Sequence, residues 1–120
     1  MIKLTFCLVR LPALTREQFQ DYWLNTHGPL VASVKDVLRI RRYVQLHSLP
    51  PEVSADIRAS RDAPEPFDGV AQLWFDSFED MAKAPTEEAR DAGRRLLEDE
   101  KKFIDLPRSP LWWGEEKVIF

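Results

Sequence analysis

Two histidines, His27 and His47, are the side chains of this 120-residue chain best suited to move a proton near neutral pH. His27 falls on the apolar stripe of a predicted helix, where burial lowers the pKa of an imidazole and leaves a neutral base at pH 7. The alternative is a core histidine whose ring nitrogens are held by the backbone or by a carboxylate. His47 ends a predicted strand, where it is either a second acid or base or simply an exposed side chain.

Aromatic and polar side chains predicted to share a sheet face with His47 form a second group of candidates. We interpret Tyr43 and Trp74 as pocket walls that stack on a flat ligand, and the Tyr43 hydroxyl is able to donate to a developing oxyanion. Packing between two copies of the chain is an alternative role for both. Gln72 and Arg41 are candidates to bind a carbonyl or carboxylate, although Arg41 would equally suit an ion pair across an interface.

Three further side chains complete the predicted site. Tyr22 either directs its hydroxyl into the pocket or hydrogen-bonds at the surface, and Trp23 lies on the same apolar stripe as His27. Cys7 is either a reactive thiolate favoured by Arg41 or an inert buried thiol. The sequence contains neither a cluster of metal ligands at suitable spacing nor a glycine-rich phosphate loop. We therefore expect no metal and no cofactor.

The secondary-structure elements that must position these side chains follow the predicted order β-α-β-β-α-β. Alternating apolar residues predict strands, which span 2–10, 38–47, 67–76 and 112–120. This order predicts an α+β fold of the ferredoxin-like type, a four-stranded antiparallel sheet with two helices on one face. The whole chain, 1–120, is then one domain.

Helix boundaries are predicted from capping residues and prolines. Thr15 and Gln18 form a capping box that begins the first helix, and Gly28–Pro29 should kink or restart it. Ser77 is expected to begin a helix that runs to Ala84 and is broken at Pro85, and Thr86 to begin one that runs to Ile104. A short helix is expected inside the proline-rich segment 48–66, which is long for a connecting loop.

The sheet face that the helices leave uncovered predicts self-association. The residues assigned to this face mix apolar and polar types: Thr5, Cys7, Val9, Arg41, Tyr43, Gln45, His47, Val70, Gln72 and Trp74. Two such faces packed together would enclose a barrel-shaped pocket, which Trp74 and the 48–66 loop over its mouth would close. A monomer with one half-solvated sheet face is the alternative.

Composition excludes several other classes of protein. The net charge is −3, whereas nucleic-acid binders are usually basic. No apolar run approaches the about 20 residues that span a bilayer. The N-terminal residues lack the layout of a signal peptide, and the single cysteine cannot form an internal disulfide. We therefore expect a cytoplasmic protein that binds neither nucleic acid nor membrane.

The run Tyr22-Trp23-Leu24-Asn25-Thr26-His27-Gly28-Pro29-Leu30 resembles a signature of the EthD family, Tyr-Trp, three variable residues, His, a small residue, Pro and Leu. The opening strand, the stretch 67–75 and the segment from Asp99 to Phe103 are also similar, so the resemblance covers nearly everything outside 48–66. It implies a dimeric α+β barrel and singles out Asp99 as a partner of a helix or of His27. Related proteins include cofactor-independent lactone isomerases and dehydratases or decarboxylases of fungal aromatic polyketide pathways, and many members have no assigned activity.

Residues and resemblance together favour a cofactor-independent lyase, dehydratase or isomerase acting on a small hydrophobic cyclic or aromatic metabolite. His27 would move the proton, with help from His47 or Tyr43. One alternative is a non-catalytic binding protein for a hydrophobic metabolite, and another is a haem-binding barrel with His27 as the iron ligand. A histidine that lines a cavity within hydrogen-bond reach of another polar group would favour catalysis, and two sealed histidines would favour binding.

Overall fold

The computed structural model describes residues 1–83 and 86–120. Its centre is a four-stranded antiparallel sheet of order β2-β3-β1-β4, the ferredoxin-like arrangement that the sequence predicts. The strands are β1 (Ile2–Leu8), β2 (Arg42–His47), β3 (Gly69–Phe75) and β4 (Leu111–Gly114).

The helices are α1 (Arg16–Tyr22), a π-helical turn (Trp23–His27), α2 (Gly28–Ser33), α3 (Ala55–Ala59), α4 (Phe78–Ala82) and α5 (Glu87–Glu100), with 3-10 turns at Pro51–Ser54 and Leu106–Arg108. All of the helices except α3 contribute side chains to the core on one face of the sheet, whereas α3 has no buried residue. None of the helices in the described ranges is long and apolar enough to cross a bilayer.

The predicted helix starts are confirmed. The Thr15 hydroxyl accepts the Gln18 N–H at 3.1 Å, and the Gln18 side chain accepts the Thr15 N–H at 2.9 Å, which is the reciprocal pattern of a capping box. Ser77 caps α4 and Thr86 caps α5. The predicted passage through Ala84 and break at Pro85 lie outside the described residues.

Several predicted boundaries are too long. Residues 38 and 39 end a turn, in which Arg39 has a φ of 60°, and residues 40 and 41 belong to no element, so β2 begins only at Arg42. The helix from Thr86 ends at Glu100 rather than at Ile104. β4 ends at Gly114 because its only partner, β1, is paired there through Lys3, one residue from its own end. The remaining segment 115–120 is exposed.

The face assigned to the second strand is wrong. The register places Gln45 opposite Ala71, which is also opposite Phe6 of the buried core, so Tyr43, Gln45 and His47 point towards the helices. Alternation is real in this strand, but its apolar members point to the uncovered face. The polar members tolerate the covered face because they are hydrogen-bonded there.

Candidate active site

A proline creates the local geometry around His27. Pro29 has no N–H, and its ring would crowd the carbonyl of Asn25 in a regular α-helix. The chain widens into a π-helical turn instead, in which the Gly28 N–H bonds the Trp23 carbonyl. The predicted interruption takes the form of a π-turn, after which the helix restarts as α2 at Gly28, and such turns are frequent at functional sites. His27 is its last residue and is only 5% exposed.

A carboxylate fixes the orientation of the His27 ring. Its Nδ1 lies 2.7 Å from Oδ2 of Asp99, and the Tyr22 hydroxyl donates to the other oxygen of Asp99 at 2.5 Å. Burial alone would raise the pKa of Asp99, but these two hydrogen bonds and the charge of Lys102 lower it below its ordinary value. Asp99 is therefore ionised, and Tyr22, whose own pKa is raised to about 12 by burial and by Asp99, stays protonated.

His27 itself is a neutral base. Burial lowers its pKa below the ordinary value and outweighs the opposing influence of Asp99. A neutral imidazole that donates its Nδ1 proton to a carboxylate must carry its lone pair on Nε2. Within the described ranges, the ring makes no second hydrogen bond. Nε2 is thus available to accept a proton.

The ring of His27 forms part of the wall of a cavity of about 260 Å³ between the helices and the sheet. Three ionisable side chains line it, namely His27, Tyr43 and Glu100, and apolar side chains form most of the remaining wall. Its described lining includes no lysine and no arginine. Apolar pockets with a few convergent polar groups are typical ligand sites.

Glu100 is the functional candidate that the sequence reasoning missed, because it lies in a charged run typical of a solvated helix face. Burial, and then the charge of Asp99, raise its pKa from 4.5 to about 7. Glu100 lies four residues after Leu96 and four residues before Ile104, and both of these apolar side chains line the cavity. That spacing was the available signal.

Tyr43 lines the cavity, and its hydroxyl belongs to a short hydrogen-bond network. Nε2 of Gln45 donates both to the Tyr43 hydroxyl, at 2.8 Å, and to the Trp23 carbonyl, at 2.9 Å. Burial raises the pKa of Tyr43 above its ordinary value. Its hydroxyl therefore stays protonated and, while it accepts the hydrogen bond from Gln45, keeps its own proton for donation.

His47 supports this network from outside the cavity. Its Nε2 donates to Oε1 of Gln45 at 2.8 Å, and its ring stacks on Trp23 with the centroids 4.5 Å apart. Burial lowers the pKa of His47. The predicted pairing of His47 with His27 in one pocket is wrong, because the ring of Trp23, which does line the cavity, stacks against His47.

The other predicted pocket residues lie away from the cavity. Strand alternation places Trp74, Gln72 and Cys7 on the uncovered sheet face, where Trp74 packs between the cations of Lys3 and Arg42. Burial raises the pKa of Cys7, as expected for an inert buried thiol.

Arg41 and the 48–66 loop are also separate from the cavity. Arg41 precedes β2 and forms an exposed ion pair with Asp76 at 2.7 Å. The loop folds into the predicted short helix, but none of its residues lines the cavity; its two ends border a separate surface groove instead. Trp74 and this loop therefore do not close this cavity, and their role over a pocket between two paired sheets stays a prediction. No group of three possible metal ligands occurs in the described part of the chain.

Comparisons with known proteins identify the family. A family model for the EthD domain matches residues 11–107. No curated protein matches the chain significantly.

Solved structures reproduce the fold over almost the full chain. An ethyl tert-butyl ether D (EthD) family protein from Bacillus halodurans has a TM-score of 0.62 and 23% identity, with 98% of this chain and 99% of that chain covered. An EthD-like protein from Ralstonia eutropha has a TM-score of 0.64 and 20% identity, with 99% and 94% covered.

A third structure, described as a dimeric protein of unknown function and ferredoxin-like fold from Bacteroides fragilis, has a TM-score of 0.57 and 13% identity, with 96% and 95% covered. The likenesses to solved structures support the fold. The match of the family model over most of the sequence shows that this chain belongs to the EthD family.

Proposed function

We propose that this protein is a cofactor-independent lyase, dehydratase or isomerase that acts by acid–base chemistry on a small hydrophobic cyclic or aromatic metabolite. The observation that carries the proposal is the Asp99–His27 pair, which fixes a neutral imidazole in the wall of an apolar cavity. A carboxylate that holds Nδ1–H sets the tautomer and stabilises the imidazolium formed when Nε2 takes a proton.

Glu100 and Tyr43 supply the complementary acids. With a pKa of about 7, Glu100 holds its proton in a substantial fraction of molecules at neutral pH, and Tyr43 is a protonated donor. In a dehydration, His27 would remove a C–H proton while Glu100 protonates the departing hydroxyl, and water leaves. In an isomerisation, His27 would return its proton to a different carbon while Tyr43 stabilises the enolate oxygen.

The binding-protein alternative receives less support from this geometry. It requires histidines sealed from the cavity, whereas His27 lines the cavity and is hydrogen-bonded to a carboxylate. The volume of about 260 Å³ favours a compact ligand over a macrocycle such as haem.

We also propose a homodimer that buries the uncovered sheet face. This face carries exposed apolar side chains, including Leu46 and Trp112, which are 55% and 49% exposed. The Bacteroides protein of the same fold is described as dimeric. The cavity described above lies on the opposite, helix-covered side of the sheet within one chain and does not require pairing, whereas the pocket expected between two paired sheets stays a prediction.

A base-promoted ring opening tests the catalytic proposal without knowledge of the natural substrate. 5-Nitrobenzisoxazole is a small, uncharged aromatic compound that eliminates when a base removes its ring C–H proton. We expect the protein to accelerate this reaction, with a rate that rises through a midpoint below the ordinary imidazole pKa of 6.5. His27→Gln should lower the rate by about 100-fold or more, the usual contribution of a positioned base.

His47→Gln is the matched control, since it removes a histidine that lies outside the cavity. Equal rates for His27→Gln and the unaltered protein, with both folded by circular dichroism, would remove His27 as the base.

A further inference from the structure

The charges around the cavity restrict which ligands it accepts. We propose that its ligand is an uncharged ring compound carrying a carbonyl or hydroxyl oxygen, and that the cavity rejects carboxylates of the same size and shape. This inference rests on the proposed function only in taking the cavity for the substrate site.

Within the described residues, the cavity wall offers no cation to bind an anionic ligand. The three ionisable side chains of the wall are an acid, a phenol and an imidazole, and the described lining contains no lysine or arginine. Lys102 is a nearby cation, with its Nζ 3.8 Å from Oδ1 of Asp99. Its side chain is 67% exposed, so it partly neutralises the charge of Asp99 from the solvent side and does not line the cavity.

The charges that are present repel an anion. Asp99 is an ionised carboxylate directly behind His27, and its charge is the second cause, after burial, of the raised pKa of Glu100. A ligand carboxylate would join these two acids in a mostly apolar cavity, where an unpaired charge is costly to bury. An uncharged carbonyl meets no such penalty and is able to accept a hydrogen bond from Tyr43 or from protonated Glu100.

A pair of isosteric probes tests the inference by isothermal titration calorimetry. 2-Acetylnaphthalene and 2-naphthoate share the same bicyclic ring, but the first carries an uncharged methyl ketone where the second carries a carboxylate. At about pH 8, above the Glu100 pKa of about 7, we expect the ketone to bind at least about tenfold more tightly, equivalent to about 1.4 kcal/mol. Equal or tighter binding of the naphthoate overturns the inference, and so does the absence of binding by both probes.

Glu100→Gln removes one negative charge from the wall while keeping its shape, and we expect it to narrow the ratio of the two affinities severalfold. Glu98→Gln is the matched control, because Glu98 lies on the same helix but is exposed and paired with Lys101. An unchanged ratio in Glu100→Gln would show that selection does not arise at this wall and would overturn the inference.

Binding does not require turnover, so the two proposals fail separately. A chain that selects the ketone but shows no His27-dependent elimination would keep this inference and lose the catalytic proposal. A chain that eliminates through His27 but binds the naphthoate equally well would do the reverse.

Discussion

At the scale of single residues, neighbours in sequence acquire opposite protonation preferences from their surroundings. Asp99 receives hydrogen bonds from Tyr22 and His27, which lower its pKa, whereas Glu100 faces the apolar cavity and has a raised pKa. The C-terminal end of α5 thus supplies two different groups. Asp99 is an ionised carboxylate that orients a base, and Glu100 is a carboxylic acid able to donate a proton. Two carboxyls whose environments separate their pKa values are a common basis for acid–base assignments.

The raised pKa of Glu100 predicts an unusual pH dependence of stability. The native state binds this proton more tightly than the unfolded chain, so between pH 4.5 and about 7 the contribution of Glu100 to the free energy of unfolding should fall as pH rises. The loss attributable to Glu100 is at most about 3 to 4 kcal/mol, because each pKa unit corresponds to about 1.4 kcal/mol. Urea denaturation across this range measures it, and Glu100→Gln should flatten the profile while Glu98→Gln should not. Parallel profiles for Glu100→Gln and the unaltered protein would contradict the assignment.

The sequence predicted one half of this site and missed the other. The helical stripe predicted the burial of His27, and the family resemblance singled out Asp99 as its possible partner. Glu100 was missed because a charged run looks the same whether it faces solvent or a cavity. His47 was assigned to the wrong sheet face, because a shift of one residue in the alternation before it moves its side chain to the opposite face.

At the scale of elements, the fold was predictable because capping boxes and alternation are local signals, whereas the face of β2 was not. That face depends on where the turn of residues 34–39 ends and on Arg39, whose positive φ no local sequence pattern predicts. Gln45 lies towards the helices because the π-turn offers it the Trp23 carbonyl, a partner created by Pro29 far away in sequence. Alternation alone carries no information about such a partner.

The contact between the π-helical turn and β3 has a testable requirement for glycine. The ring of Trp23 lies so close to Gly69 that a Cβ there would stand 2.4 Å from Cζ3 and 2.9 Å from the Leu46 carbonyl oxygen. We therefore expect Gly69→Ala to lower the free energy of unfolding by at least about 2 kcal/mol, as overpacking of a rigid core does.

Gly93 is the control for this substitution, because an added Cβ there meets nothing within 4 Å. Gly93 lies inside α5, so Gly93→Ala should stabilise the protein by about 0.5 to 1 kcal/mol. Denaturant unfolding measures both changes. Similar stabilities for the two variants would mean that Trp23 does not pack over Gly69 in solution.

At the scale of the whole molecule, the two sheet faces have separate roles. The helix-covered face holds the cavity, and the uncovered face carries Val44, Gln72, Thr5 and Trp112 in one row across all four strands. A partly apolar row at the centre of a sheet is suited to face-to-face packing. Association and ligand binding are therefore expected to be separable by substitution.

Val44→Lys places a charge in the middle of this row and should convert the proposed homodimer to a monomer, because the charge would have to be desolvated at the interface. Light scattering after size-exclusion chromatography would then give a mass near the 14.0 kDa of one chain for Val44→Lys and about twice that for the unaltered protein. Ile57→Lys, at an exposed position of α3, should remain dimeric. The Val44→Lys monomer should still bind 2-acetylnaphthalene, since the cavity is built by one chain. Loss of binding together with dimerisation, in a monomer that remains folded, would show that the second copy completes the site after all.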